Sequence, residues 1–358
     1  MTYVIAAAGT GGHVYPGLSV GEALLDLGVA RESITFVGGN RLEAKVYPDE
    51  GFSFFEVELR GLQRSLTPRN LTLPAVVMKA RSRIYEMIVE SDVKAVLGMG
   101  GYVTIPTGSA ARRAGVPFFN AEQNAEAGLA NKIASRWAAR SFVSFPDTGG
   151  MPDAEWVGNP VRAPFWSFDR ESLRLEAARK YQLTPNVPVL GVFGGSLGAG
   201  AINEAIIRLV SEWEGRAFQI VHLTGERNIA EMMSVDQATV RWIRVAFEES
   251  METFYAACDL VIARAGGAVA ELTASSTPSI LVPGEFGSAG HQSGNARFLS
   301  DAGAAITLPE SGLGGLGGLV NSILFSDPAL DEMREAANRI ARPRAAHAIA
   351  AAMMKATA

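Results

Sequence analysis

One local pattern occurs twice in this chain, about half its length apart. Ile5-Ala6-Ala7-Ala8-Gly9-Thr10-Gly11-Gly12-His13 stands near the start, and Leu190-Gly191-Val192-Phe193-Gly194-Gly195-Ser196-Leu197-Gly198-Ala199 follows in the second half. An apolar run that ends in glycines and passes straight into a helical pattern opens a parallel β-α unit. Two such openings predict two α/β domains, each a doubly wound parallel sheet, and 358 residues suit that number. The 38 glycines are neither periodic nor linker-like, so each must be read by its position.

The alternation bears this out along the sequence. Strand patterns fall at 3–8, 33–37, 52–59, 93–97, 116–120 and 141–144, with helical patterns at 16–27, 71–90, 106–114 and 128–138. The rhythm restarts with strands at 187–193, 218–223, 240–245, 260–263, 279–282 and 304–308, and helices at 201–212, 250–257, 269–274 and 295–302. Prolines and glycines crowd 146–164, which places the connection near 161. Asp327 is read as the cap of a C-terminal helix, with Pro328 at its first position. Pro343 should break that helix and let the last segment return to the first domain. The expected domains are therefore 1–161 with 342–358, and 162–341, their sheets facing a central cleft.

Other classes are disfavoured. A single cysteine, Cys258, allows no intrachain disulfide and no cysteine zinc cluster. Four histidines leave little for a histidine-rich metal site, and a net charge of −5 speaks against a nucleic-acid partner. No signal peptide and no membrane span are expected.

Ligands of doubly wound folds bind at the carboxyl ends of the strands, and the chemistry-bearing residues gather there. Glycine turns before a helix let an anion approach free backbone N–H groups, and Ser196 adds a hydroxyl. A tight turn with no ligand is the other reading. His13 at a helix start would stay neutral beside the positive helix end and suits a general base; an anion donor or a cap is the alternative. Gly98-Met99-Gly100-Gly101-Tyr102 forms a third such turn. Glu122-Gln123-Asn124 offers amides to sugar hydroxyls, or is an ordinary loop. Arg162 could reach a diphosphate. Glu271, just past Gly266-Gly267-Ala268-Val269-Ala270, could accept ribose hydroxyls. Backbone groups near Glu248 could meet a base, and Gln292 a sugar. Leu71–Tyr85 mixes Leu73, Val76, Val77, Ile84 and Tyr85 with Lys79, Arg81 and Arg83. It reads as a helix on an anionic membrane or as one packed on the sheet.

In order, Gly9–Gly17, Leu97–Tyr102, Glu122–Asn124, Val157–Arg162, Gly194–Ala199 and His291–Ala296 resemble the MurG family of membrane-associated glycosyltransferases of bacterial peptidoglycan synthesis. The resemblance spans essentially the whole chain. It implies a GT-B fold and transfer of N-acetylglucosamine (GlcNAc) from UDP-GlcNAc to the C4 hydroxyl of the muramoyl sugar of lipid I, with inversion, giving lipid II. It implies that Thr10, Gly11, Gly12, Asn124, Arg162, Ser196, Glu248, Gly266 to Glu271 and Gln292 surround the donor. It also implies that Gly12, His13, Gly100, Gly101 and Tyr102 face the acceptor, with His13 the candidate base and neither metal nor cofactor required. The implied location is the cytoplasmic face of the cell membrane, held through residues 71–85, with other cell-wall synthesis proteins as partners.

The chain departs from the family pattern at Ala121 in place of histidine, at Gly290 in place of an acid, and in a turn one residue shorter between Arg264 and Glu271. Alternatives are another GT-B enzyme, such as a natural-product or sterol transferase or a UDP-GlcNAc 2-epimerase, and a nucleotide-sugar-binding protein without activity.

Overall fold

The computed structural model describes residues 2–59, 73–151, 153–195, 199–225, 238–284 and 289–356. The chain forms two compact units, Met1–Ala163 with Arg342–Ala358, and Pro164–Ala341.

In the first unit, the described strands are β1 (Thr2–Ala6), β2 (Ile34–Gly38), β3 (Ser53–Glu56), β4 (Val93–Gly98), β5 (Phe118–Glu122), β6 (Arg140–Val143) and β7 (Glu155–Trp156). They pair in the order β3-β2-β1-β4-β5-β6-β7, all parallel. Helices α1 (Gly11–Asp26), α2 (Glu43–Asp49), α3 (Leu73–Glu90), α4 (Thr104–Ala114) and α5 (Leu129–Ala134) lie between them. Strand residues such as Val4, Ile5, Val96 and Leu97 are fully buried, as expected of a sheet covered on both faces.

The second unit repeats the plan. Helix α6 (Arg170–Lys180) precedes β8 (Val189–Phe193), α7 (Gly200–Glu212), β9 (Phe218–Leu223), β10 (Val240–Val245), α8 (Met251–Ala257) and β11 (Leu260–Ala263). Then come α9 (Ala268–Ala274), β12 (Ser279–Leu281), α10 (Ala289–Asp301), β13 (Ala305–Thr307), α11 (Leu316–Leu324) and α12 (Asp327–Ile340). The described strands pair in the order β10-β9-β8-β11-β12-β13, again parallel. On α7, Ile202, Ala205, Ile206, Leu209 and Val210 are buried. That spacing makes a single helical stripe, and each large aliphatic side chain contributes roughly 2 kcal/mol by leaving water.

Several boundaries differ from the sequence reading. α1 begins at Gly11 rather than at Pro16, because the Thr10 carbonyl accepts N–H groups from His13 and Val14. The turn has already closed when proline is reached. The cap of α12 is Ser326, whose side chain accepts from Ala329 N–H, and Asp327 is already helical. Pro343 does end that helix's run, and α13 (Ala345–Lys355) packs on α1 in the first unit. Arg170 explains much of α6. Its guanidinium donates to the carbonyls of Tyr255, Cys258 and Ser275 and to Thr277 Oγ1, which ties α6 to the ends of α8 and α9. Burial lowers its pKa to about 10. Cys258 is a buried thiol, pushed up by desolvation.

Candidate active site

In each unit the strand order reverses once, between β1 and β4 and between β8 and β11. Loops leaving neighbouring strands there diverge to opposite faces and open a crevice at the carboxyl ends. The glycine turns occupy these positions.

In the first unit, Gly9, Gly100 and Gly101 hold φ of +106°, +87° and +75°, a region that side chains with a Cβ rarely adopt. A Cβ on Gly101 would stand 2.6 Å from the Ala8 carbonyl oxygen, so the two turns touch through backbone. His13 sits in the first turn of α1, its Nδ1 3.2 Å from Thr10 Oγ1. The other edge of the ring lies against Gly100. A Cβ built there would be 2.8 Å from Cδ2 and 3.0 Å from Nε2 of His13, and 3.1 Å from Asn131 Nδ2. The structure thus gathers Thr10, Gly11, Gly12, His13, Gly100, Gly101 and Tyr102 at one rim.

Two buried carboxylates organise this rim. Glu43 accepts from the Tyr102 hydroxyl at 2.7 Å and from the N–H groups of Gly9 and Gly39, each at 3.1 Å. Its burial raises the pKa, but the hydrogen bonds from Tyr102 and the backbone outweigh that and hold the carboxyl below its ordinary value. Burial, together with the adjacent carboxylate, pushes the Tyr102 phenol up. Glu122, 3% exposed, accepts on one oxygen from Gln123 N–H, Asn124 N–H and Asn124 Nδ2. The other oxygen takes Gly128 N–H at 2.9 Å and Asn131 Nδ2 at 2.8 Å.

The amides expected to reach a sugar therefore have internal partners. Gln123 is buried, with Nε2 on the Ala121 carbonyl, and Asn124 Nδ2 is held by Glu122. Arg162 belongs to the first unit. It lies within electrostatic reach of Glu22, whose carboxylate takes a backbone hydrogen bond from Ala163. Glu22 is about three turns along α1 from the Gly11 end.

In the second unit, Gly195 has φ of +96°, and a Cβ there would meet nothing within 4 Å. Ser196 lies outside the described residues. A Cβ on Gly266 or Gly267 would also meet nothing within 4 Å. The shorter turn still leads into a helix: α9 starts at Ala268 and carries Glu271 in its first turn. Tyr255 donates to Glu271 Oε2 at 3.2 Å. Val269 is buried, whereas Ala268 and Ala270 are half-buried.

Arg264 donates to the Val282 carbonyl and pairs with Glu310 at 2.5 Å, so it braces the loops after β11, β12 and β13. Gln292 Oε1 accepts from Gly284 N–H, and Asn295 Nδ2 donates to the Ala265 carbonyl. The Glu248 carboxylate is engaged by Lys180 Nζ, the Tyr181 hydroxyl and Ser250 N–H. Burial raises its pKa, and these hydrogen bonds overcome that and lower it. Its side chain is thus held by internal partners, and the neighbouring Phe247 is half-exposed.

The residues missed from sequence are Glu43, Asn131, Arg170 and Tyr255. Only Arg170 had a local signal, since Asp169 followed by strong helix formers marks a helix start.

Residues 3–143 match the glycosyltransferase family 28 N-terminal domain, and residues 189–349 match its C-terminal domain. The chain belongs to glycosyltransferase family 28. Its family 28 relatives include a UDP-N-acetylglucosamine--N-acetylmuramyl-(pentapeptide) pyrophosphoryl-undecaprenol N-acetylglucosamine transferase of Halorhodospira halophila, 38% identical over 98% of this chain and 96% of that protein. A transferase of the same name from Streptomyces avermitilis is 35% identical over 96% and 94%. The crystal structure of Acinetobacter baumannii MurG superimposes with a TM-score of 0.81 at 28% identity, covering 99% of this chain and all of that one. A UDP-GlcNAc 2-epimerase from Neisseria meningitidis shares the fold, with a TM-score of 0.69 at 13% identity over 99% and 100% of the chains. Like that MurG, this family 28 chain has a GT-B fold of two Rossmann-like parallel-sheet domains.

Proposed function

We propose that this chain transfers GlcNAc from UDP-GlcNAc to the C4 hydroxyl of the N-acetylmuramoyl sugar of lipid I, yielding lipid II with a β-1,4 link. The observation that carries this reading is its near-full-length identity with transferases of that name. The arrangement of both rims supports it.

The reaction is a single displacement. The C4 oxygen attacks the anomeric carbon opposite the UDP; the new C–O bond forms as the bond to the diphosphate breaks, and that electron pair leaves with UDP. The acceptor proton passes to His13. In the tautomer whose Nδ1–H donates to Thr10 Oγ1, Nε2 carries the lone pair that receives it. The first unit takes the acceptor, through Gly12, His13, Gly100, Gly101 and Tyr102. The second takes the nucleotide, with Ser196 at the diphosphate, Glu271 on the ribose hydroxyls, the Glu248 backbone at the base and Gln292 at the sugar. Gly266 to Ala270 line that turn, and Thr10, Gly11, Gly12 and Asn124 complete the donor site. Helix N-termini stabilise the departing charge.

The same reading places the chain on the anionic inner leaflet, at the cytoplasmic face. Among the described residues no helix is long and apolar enough to cross a membrane. On α3, Ile84 is buried, and Val76, Val77 and Tyr85 pack half-buried against the unit's core. Among the described residues of this stretch, Pro74, Ala75, Met78, Lys79 and Arg83 are exposed, and they are the ones we propose meet the membrane. Other cell-wall synthesis proteins are the partners this location brings within reach.

The test is transfer of labelled GlcNAc from UDP-GlcNAc to a lipid I analogue by the purified chain. Lipid II product is expected; nucleotide binding without turnover would instead identify a binding protein. His13→Ala should lower kcat at least 100-fold, and a variant near wild type removes His13 as the base.

A further inference from the structure

We propose that Glu43 is a positioning residue for the acceptor half of the reaction, acting on His13 from two sides at once. The proposal rests on the transfer reading above.

Glu43 opens the short helix α2, outside all the glycine turns, yet its side chain is fully buried. Its two oxygens divide between the turns. Oε2 takes the N–H of Gly9, the residue before Thr10, and the Thr10 hydroxyl contacts His13 Nδ1. Oε1 takes the hydroxyl of Tyr102, two residues beyond Gly100, whose backbone backs the Nε2 edge of the same ring. A single carboxylate therefore fixes the segments on both sides of the imidazole.

The surroundings leave it little freedom. A Cβ on Gly38 would come within 2.6 Å of Glu43 Cγ, and a Cβ on Gly39 would overlap the Tyr102 hydroxyl. Gly39 N–H is the third donor to the carboxylate, at 3.1 Å. A buried anion with three donors is costly to lose, because each donor would be left unsatisfied. An amide in its place presents N–H to at least one of those donors. Errors of about 1 Å at a reacting group cost on the order of 100-fold in rate, so a modest slip of either turn registers in turnover.

The experiment compares wild type with Glu43→Gln and Gly39→Ala, which disturbs Tyr102 while leaving the charge intact. UDP titration calorimetry counts the competent sites, and kcat toward a lipid I analogue is expressed per UDP-binding site. For both variants kcat should fall 10- to 100-fold, with the acceptor KM changed less than threefold and the UDP Kd within twofold. Unfolding of the second unit would lower the number of UDP sites and leave kcat per site unchanged, and unfolding of the first would strip amide protection from the whole of β1 and β4, not from Gly9 and Gly39 alone. A kcat per site within twofold of wild type in either variant overturns the proposal, as does equal loss of UDP affinity and turnover. If Glu43→Gln does not fold, Gly39→Ala decides alone.

Amide hydrogen exchange separates this proposal from the transfer reading. Gly9 and Gly39 should be protected in wild type, and less so in either variant. Protection without transfer by the wild-type chain would sink the reading and spare the anchor; unprotected glycine amides would sink the anchor whatever the activity.

Discussion

Gly100→Ala is the most demanding substitution to survive at the first-unit rim. Two independent costs meet there. The backbone has φ of +87°, where an L-residue loses about 1–2 kcal/mol. The new methyl would also stand 2.8 Å from His13 Cδ2, about 0.6 Å inside ordinary contact at 3.4 Å. Asn131 offers no relief on the other side, because its Nδ2 is held by Glu122 and by the Ala121 carbonyl. The ring must therefore give way by about half an ångström or more, and at a general base such a shift costs roughly 10- to 100-fold in rate. The expected phenotype is a kcat toward lipid I analogue lowered by that factor, an unfolding free energy in urea lowered by about 1–2 kcal/mol, and unchanged UDP affinity. Gly266→Ala serves as a stability control, since a Cβ there meets nothing within 4 Å; its unfolding free energy should stay within about 0.5 kcal/mol of wild type. A Gly100→Ala enzyme with kcat within twofold of wild type would refute the contact between Gly100 and His13 as a determinant of catalysis.

Three further outcomes follow from the second unit. His222 is fully buried on β9, donates from Nε2 to Asn203 Oδ1, and is held by burial at a pKa of about 3. The unfolded chain binds the extra proton below about 6.5, so this group's stabilisation is complete above that pH and is lost as pH falls toward 3. The contribution to the slope is up to about 1.4 kcal/mol per pH unit; unfolding curves of wild type and His222→Gln between pH 7 and 4 should converge, and parallel curves would contradict the assignment. Arg170→Met removes the guanidinium donors from three carbonyls and the Thr277 hydroxyl, so it should cost about 3 kcal/mol of stability and weaken UDP binding as Tyr255 and Glu271 shift; a loss below 1 kcal/mol would count against it. Ser326→Ala removes the cap of α12 and should lower stability by about 1 kcal/mol in thermal or urea unfolding.

Much of the second unit was legible residue by residue. β9, β10 and β11 fall where the β-branched and aromatic runs placed them; β9 and β11 are buried along their whole length, and strands covered on both faces are rich in apolar residues. Two helix starts were read far too late. α1 and α10 begin at Gly11 and Ala289, ahead of the first strongly periodic residues, since glycine and small polar residues carry no apolar signal while their carbonyls already accept bonds. α2 was missed because it is short and its key residue is charged. A buried glutamate looks like a solvated one until its donors are known, and Gly9, Gly39 and Tyr102 come from three different loops.

The order and spacing of the glycine turns, and the alternation of strand and helix, were set locally. They determined a two-domain α/β chain with anion-binding turns at strand ends, because backbone freedom and apolar periodicity are properties of adjacent residues. Tertiary structure decided which polar side chains work inward and which face a ligand. Gln123 turned in, Asn124 Nδ2 went to Glu122, Arg264 became a brace, and Glu43 emerged as an anchor. A hydrogen bond needs a partner within about 3 Å, and partners 34 and 59 residues away along the chain are brought that close only by the fold.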